Sequence, residues 1–72
     1  MDYMDYSYMP EAAMRVLMRL EPLDFDVLKA EMEQEESMVV VEAMLVDALH
    51  DMRTRGTITH GSEFTNIRRA LG

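Results

Sequence analysis

Apolar side chains recur at intervals of three and four along most of this chain, and polar breaks divide the recurrence into segments. The pattern predicts helices over Pro10–Leu20, Asp24–Glu33, Ser37–Thr54 and Ser62–Leu71. Pro10 suits the first turn of a helix because its missing N–H has no partner to lose there, and Glu11 faces the positive helix end. Ala13, Met14, Leu17, Met18 and Leu20 form the expected apolar stripe, which Pro22 interrupts. Asp24 is a candidate cap for the second helix, with Phe25, Leu28 and Met32 inward. A break is expected near Ser37, before the third helix. Arg55-Gly56 should end that helix, because glycine takes the left-handed conformation of a helix stop. Ser62 would cap the last helix, with Phe64, Ile67 and Leu71 inward.

The third segment carries more apolar positions than one core face requires. Met38, Val41, Met44, Leu45, Ala48, Leu49 and Met52 fall on one arc, with Glu42, Asp47, His50, Asp51 and Arg53 opposite. Val39, Ala43 and Val46 also project onto the polar side. Exposing a valine forgoes roughly 1.5 kcal/mol or more of burial, so these three predict a second contact surface, either a homo-oligomer seam or a site for another protein.

The expected fold class is therefore all-α, a small bundle of three to four helices over residues 10–72, preceded by a short extended N-terminal arm over residues 1–9. The arm holds Tyr3, Tyr6 and Tyr8 and lacks an apolar period. At 72 residues the chain buries only about 60% of its unfolded surface, near the limit for a stable domain. Nine methionines and no tryptophan point to a soft core.

Composition removes most chemistry. The absence of cysteine excludes disulfides and thiolate sites. Ser7, Ser37 and Ser62 suit the arm and helix caps better than nucleophilic elbows, and three glycines form no phosphate loop. His50 has Asp47 one turn away and no further ligand at helical spacing. The expectation is a non-enzymatic protein with no metal or cofactor. No apolar run reaches membrane-span length, and MDYMDYSYMP is acidic and aromatic where a signal peptide is basic and then apolar. A cytoplasmic protein with no membrane contact is expected.

The net charge is −7 and unevenly divided. Residues 1–52 hold thirteen of the fourteen acids against Arg15, Arg19 and Lys29, a balance of −10; residues 53–72 hold Arg53, Arg55, Arg68 and Arg69 against Glu63, a balance of +3. Glu31, Glu33, Glu35 and Glu36, followed by Glu42, Asp47 and Asp51, could imitate nucleic-acid phosphates and occupy a basic groove on another protein. In length and charge the chain is similar to small acidic inhibitors of phages and other mobile elements. The leading expectation is such an inhibitor, docking on a host protein with a basic surface.

The ending RGTITHGSEFTNIRRALG carries another resemblance, through Gly56, Thr59, Gly61, Phe64, Ile67, Arg68, Arg69 and Leu71. It resembles the turn and recognition-helix region of some helix-turn-helix and winged-helix DNA binders, including the large serine recombinases. That likeness implies a small dimeric DNA-binding regulator in which Asn66, Arg68 and Arg69 face the nucleic acid.

Overall fold

The computed structural model describes residues 8–70. Three helices, α1 (Tyr8–Leu20), α2 (Phe25–Glu35) and α3 (Glu42–Thr54), are followed by strand β1 (Ile58–Thr59), a 3₁₀ turn over Ser62–Phe64 and strand β2 (Arg68–Arg69). The mostly helical architecture matches the sequence pattern. Among the described residues, no helix is long and apolar enough to cross a membrane.

The first helix starts earlier than its proline suggests. Tyr8 and Met9 belong to α1 and Met9 is buried, so the expected arm is shortened and residues 1–7 lie outside the described residues. Met9, Ala12, Ala13, Val16 and Leu17 form the buried stripe, at the i, i+3, i+4, i+7, i+8 spacing of an amphipathic helix. Met18 and Leu20, expected inward, are exposed. Met18 sits on the side of α1 away from this stripe.

The second helix runs as expected, with Leu28 and Met32 buried and Phe25 packed against the core. The third is shorter. Glu36 ends α2, Ser37 takes a left-handed φ of 52°, and helical structure resumes only at Glu42. The intervening Met38-Val39-Val40-Val41 is mostly β-branched, which disfavours a helix and suits an extended link. Val40 points into the core and Val39 is 85% exposed, as alternation in an extended segment requires. Leu45, Leu49 and Met52 complete the core from α3. Of the seven methionines among the described residues, only Met18 lies away from the core.

The tail departs most from expectation: over Ser62–Ala70 the predicted helix does not form, and Leu71, expected inward, lies outside the described residues. Ile58 pairs with Arg69 and Thr59 with Arg68 in an antiparallel ribbon, and Leu23, between α1 and α2, bridges Ile67 through bonds of 3.0 and 2.7 Å. A short helix containing Thr65, Asn66 and Ile67 would be marginal by propensity and length. The ribbon instead buries both Ile58 and Ile67 and pairs their backbone groups. Gly56, at φ 83°, turns the chain out of α3 as expected.

Candidate functional site

The charges that looked contiguous in sequence are divided by the fold. Arg15 of α1 grips Glu36 at 2.7 and 3.0 Å, and Arg19 approaches Glu35 at 3.9 Å, so two of the glutamates after α2's midpoint tie α2 to α1. Lys29 holds Glu33 at 3.1 Å, Arg55 holds Asp51 at 2.8 Å, and Glu31 is half-buried. Of the seven expected acidic-face residues, Glu31, Glu42 and Asp47 have no basic partner among the described residues.

The basic tail is divided in the same way. Arg69 forms a two-pronged contact with Glu21 at the end of α1, with Nη2 at 2.8 Å from Oε2 and its backbone N–H at 2.8 Å from Oε1. These bonds hold the Glu21 carboxyl well below its usual 4.5, at about 2, the Arg69 side chain contributing most and its backbone N–H next. Arg69 therefore fastens β2 to α1. Asn66 donates its backbone N–H to Asp24 Oδ1 at 3.0 Å, and its side chain accepts from Arg68 at 3.2 Å. Asp24, at the cap position of α2, thus holds the tail rather than capping its own helix. Arg53 and Arg68 are the basic side chains without an acidic partner among the described residues.

The Glu21–Arg69 pair sets an acid limit on the tail. The folded carboxyl binds its proton less readily than the unfolded one, so its stabilisation is complete above about pH 4.5 and is lost as pH falls through about 2. Acid titration followed by β-ribbon NMR signals should show the tail loosening in that window. Glu21→Gln should remove this pH dependence and leave a looser tail at neutral pH; an unchanged acid profile in that variant would contradict the assignment.

The fold assembles a site the sequence did not mark. A groove of about 390 Å³ lies between the starts of α2 and α3 and the 3₁₀ turn. Phe25, Val46 and Phe64 give its apolar surface; Asp24, Asp26, Glu42 and Glu63 stand around them, and no basic side chain lines it. The rings of Phe25 and Phe64 lie 6.0 Å apart in a tilted arrangement. Glu63 and Phe64 both hold left-handed φ values, 55° and 56°. Non-glycine residues in that region cost about 1–3 kcal/mol each and concentrate at functional sites.

Of the expected apolar patch, Val46 lines this groove, Ala43 is exposed in the first turn of α3, and Val39 lies away from that helix in the extended link. Glu42 is the one expected acidic residue that the groove includes. Asp24 and Asp26 were not legible as a group with Glu63 because Glu63 lies far along the chain and the tail was read as helical. Among the described residues, no three His, Asp or Glu side chains gather as a metal site would require. Comparison with protein-family models, with characterised proteins and with solved structures finds no match for the chain.

Proposed function

We propose that this chain is a non-enzymatic protein-binding module that takes a basic segment of a partner protein into the groove between α2, α3 and the 3₁₀ turn. The observation that carries the reading is the grouping of Asp24, Asp26, Glu42 and Glu63 around Phe25, Val46 and Phe64 without a compensating cation. Lysine or arginine side chains meet the carboxylates, and their aliphatic stems cover the rings. A partner whose basic segment serves nucleic-acid binding would be blocked by occupation of that segment, which is inhibition by charge mimicry. The four residues replace the glutamate row of α2 as the proposed contact, because Glu33, Glu35 and Glu36 are already engaged by cations of this chain.

DNA binding is the second reading, favoured by the order of elements. A helix, a bridging residue, two further helices and a two-strand ribbon resemble the arrangement of winged-helix proteins. In such an arrangement α3 would enter the major groove. Here α3 exposes Glu42, Ala43, Asp47, His50 and Asp51, which would bring carboxylates against phosphates. Of the three residues expected to face DNA, Arg69 has its side chain tied to Glu21, and Asn66 is anchored to Asp24 through its backbone N–H.

A paired assay separates the readings. The protein should leave a short random-sequence DNA duplex unshifted at low salt while binding a fluorescent lysine-rich peptide. A salt-sensitive DNA shift, lost on replacing Arg53 and Arg68 by alanine, would support DNA binding and overturn the proposal.

A further inference from the structure

We infer that the groove selects arginine over lysine, with the Phe25 ring as the platform for a guanidinium of the partner segment and the surrounding carboxylates as acceptors of its N–H groups. This inference rests on the groove assigned above and names the cation it takes. Phe25 and Phe64 both contribute surface to the groove, and their rings stand 6.0 Å apart with 43° between their planes. Their surroundings differ. Among the described residues Phe25 has Phe64 as its only ring neighbour, whereas Phe64 is also met by His60 at 4.6 Å and, edge-on, by His50 at 5.3 Å. His60 is in turn fixed by its Nδ1–H bond to the Gly61 carbonyl at 2.6 Å. Phe64 is thus wedged among rings, and Phe25 keeps the freer face.

Carboxylates alone attract either basic side chain; a ring face beside them separates the two. The lysine ammonium is compact and strongly hydrated, so it gains little by leaving water for an apolar surface. The arginine guanidinium is planar and weakly hydrated, and it lies against an aromatic face while its N–H groups stay in its own plane, free to meet acceptors at the side. The acceptors available here are the carboxylates of Asp26, next to Phe25 on α2, Glu42 on α3 and Glu63 in the 3₁₀ turn, none of which has a cation among the described residues. A carboxylate takes two such N–H groups at once from arginine, a fork that lysine lacks. Asp24 offers less, because its Oδ1 already accepts the Asn66 N–H at 3.0 Å. Val46 supplies apolar surface for the methylenes of the arginine stem.

The test uses two fluorescent peptides of equal length and charge, one built on lysine and the other on arginine. The arginine peptide should bind the parent protein roughly tenfold more tightly, and Phe25→Leu, which keeps apolar bulk without a π-face, should bring the two within about twofold. Phe25→Tyr keeps the face and should keep the preference. In the parent, intermolecular NOEs should join the arginine Cδ protons to the Phe25 ring protons, a readout that needs no variant. Equal affinity for the two peptides, a preference that survives Phe25→Leu, or NOEs that reach other residues and miss Phe25 would overturn the inference while leaving the acidic groove standing. Failure of both peptides to bind, or binding of both that is indifferent to Asp26→Asn with Glu42→Gln, would overturn the groove itself.

Discussion

Leu49→Ala should destabilise the fold by about 2–5 kcal/mol, the range for truncating a fully buried leucine. Leu49 has no exposure and lies on α3 within the cluster formed with Leu45, Val16, Leu17 and Leu28. Total stability for a chain of this length is about 4–11 kcal/mol, so the single change removes a large share of it. The melting temperature should fall by roughly 10–30 °C. Val39→Ala, in the extended link and 85% exposed, should stay within about 0.5 kcal/mol of the parent. Thermal melts followed by circular dichroism check both. Equal losses would mean that the link, rather than α3, supplies the core.

The largest functional effect should come from neutralising Asp26, Glu42 and Glu63 together as Asn, Gln and Gln. Affinity for the lysine-rich peptide should drop roughly tenfold to hundredfold, because these carboxylates converge on one groove and none has a cation of its own among the described residues. Glu33, Glu35 and Glu36 changed to glutamine make the net charge less negative by the same amount and serve as the control. Their cations are Lys29, Arg19 and Arg15, so this second variant should lose melting temperature more than peptide affinity. Equal loss of affinity in the two variants would reduce the interaction to net charge, without a site. Fluorescence anisotropy at two salt concentrations measures the difference.

The helical part of the fold was legible because α1, α2 and α3 carry apolar residues at helical spacing and end at Pro22, Glu36 and Gly56. The error in α1 was one of phase. Met18 and Leu20, read as inward, are exposed, while Ala12 and Val16 are buried beside Ala13 and Leu17 and Met14 packs at the edge of the core. The start of α3 was misplaced because Val39-Val40-Val41 fits an apolar helical period as well as an extended one.

The tail was misread for a different reason. Its strands are two residues long, too short for an alternation to register, and they depend on Leu23 and Glu21, more than forty residues earlier. The site inherited that error. Glu42 and Val46 were recognised as contact residues, but Phe64 and Glu63 were placed on a helix whose dihedral angles they do not adopt. Asp24 was read as a cap, whereas its carboxylate holds the backbone of Asn66. Pairing partners so distant in sequence leave no local signature, and the acidic groove becomes visible only once the 3₁₀ turn sits beside the starts of α2 and α3.

A basic ligand should land in the groove framed by Phe25, Val46 and Phe64. Titrating the lysine-rich peptide into isotopically labelled protein and following backbone amide shifts locates it residue by residue. Saturable changes should centre on Asp24–Asp26, Glu42–Val46 and Glu63–Thr65 and be absent along Glu31–Glu36 of α2 and its cap. Changes centred on Glu31–Glu36, or spread evenly over every acidic residue without saturation, would contradict the proposed groove.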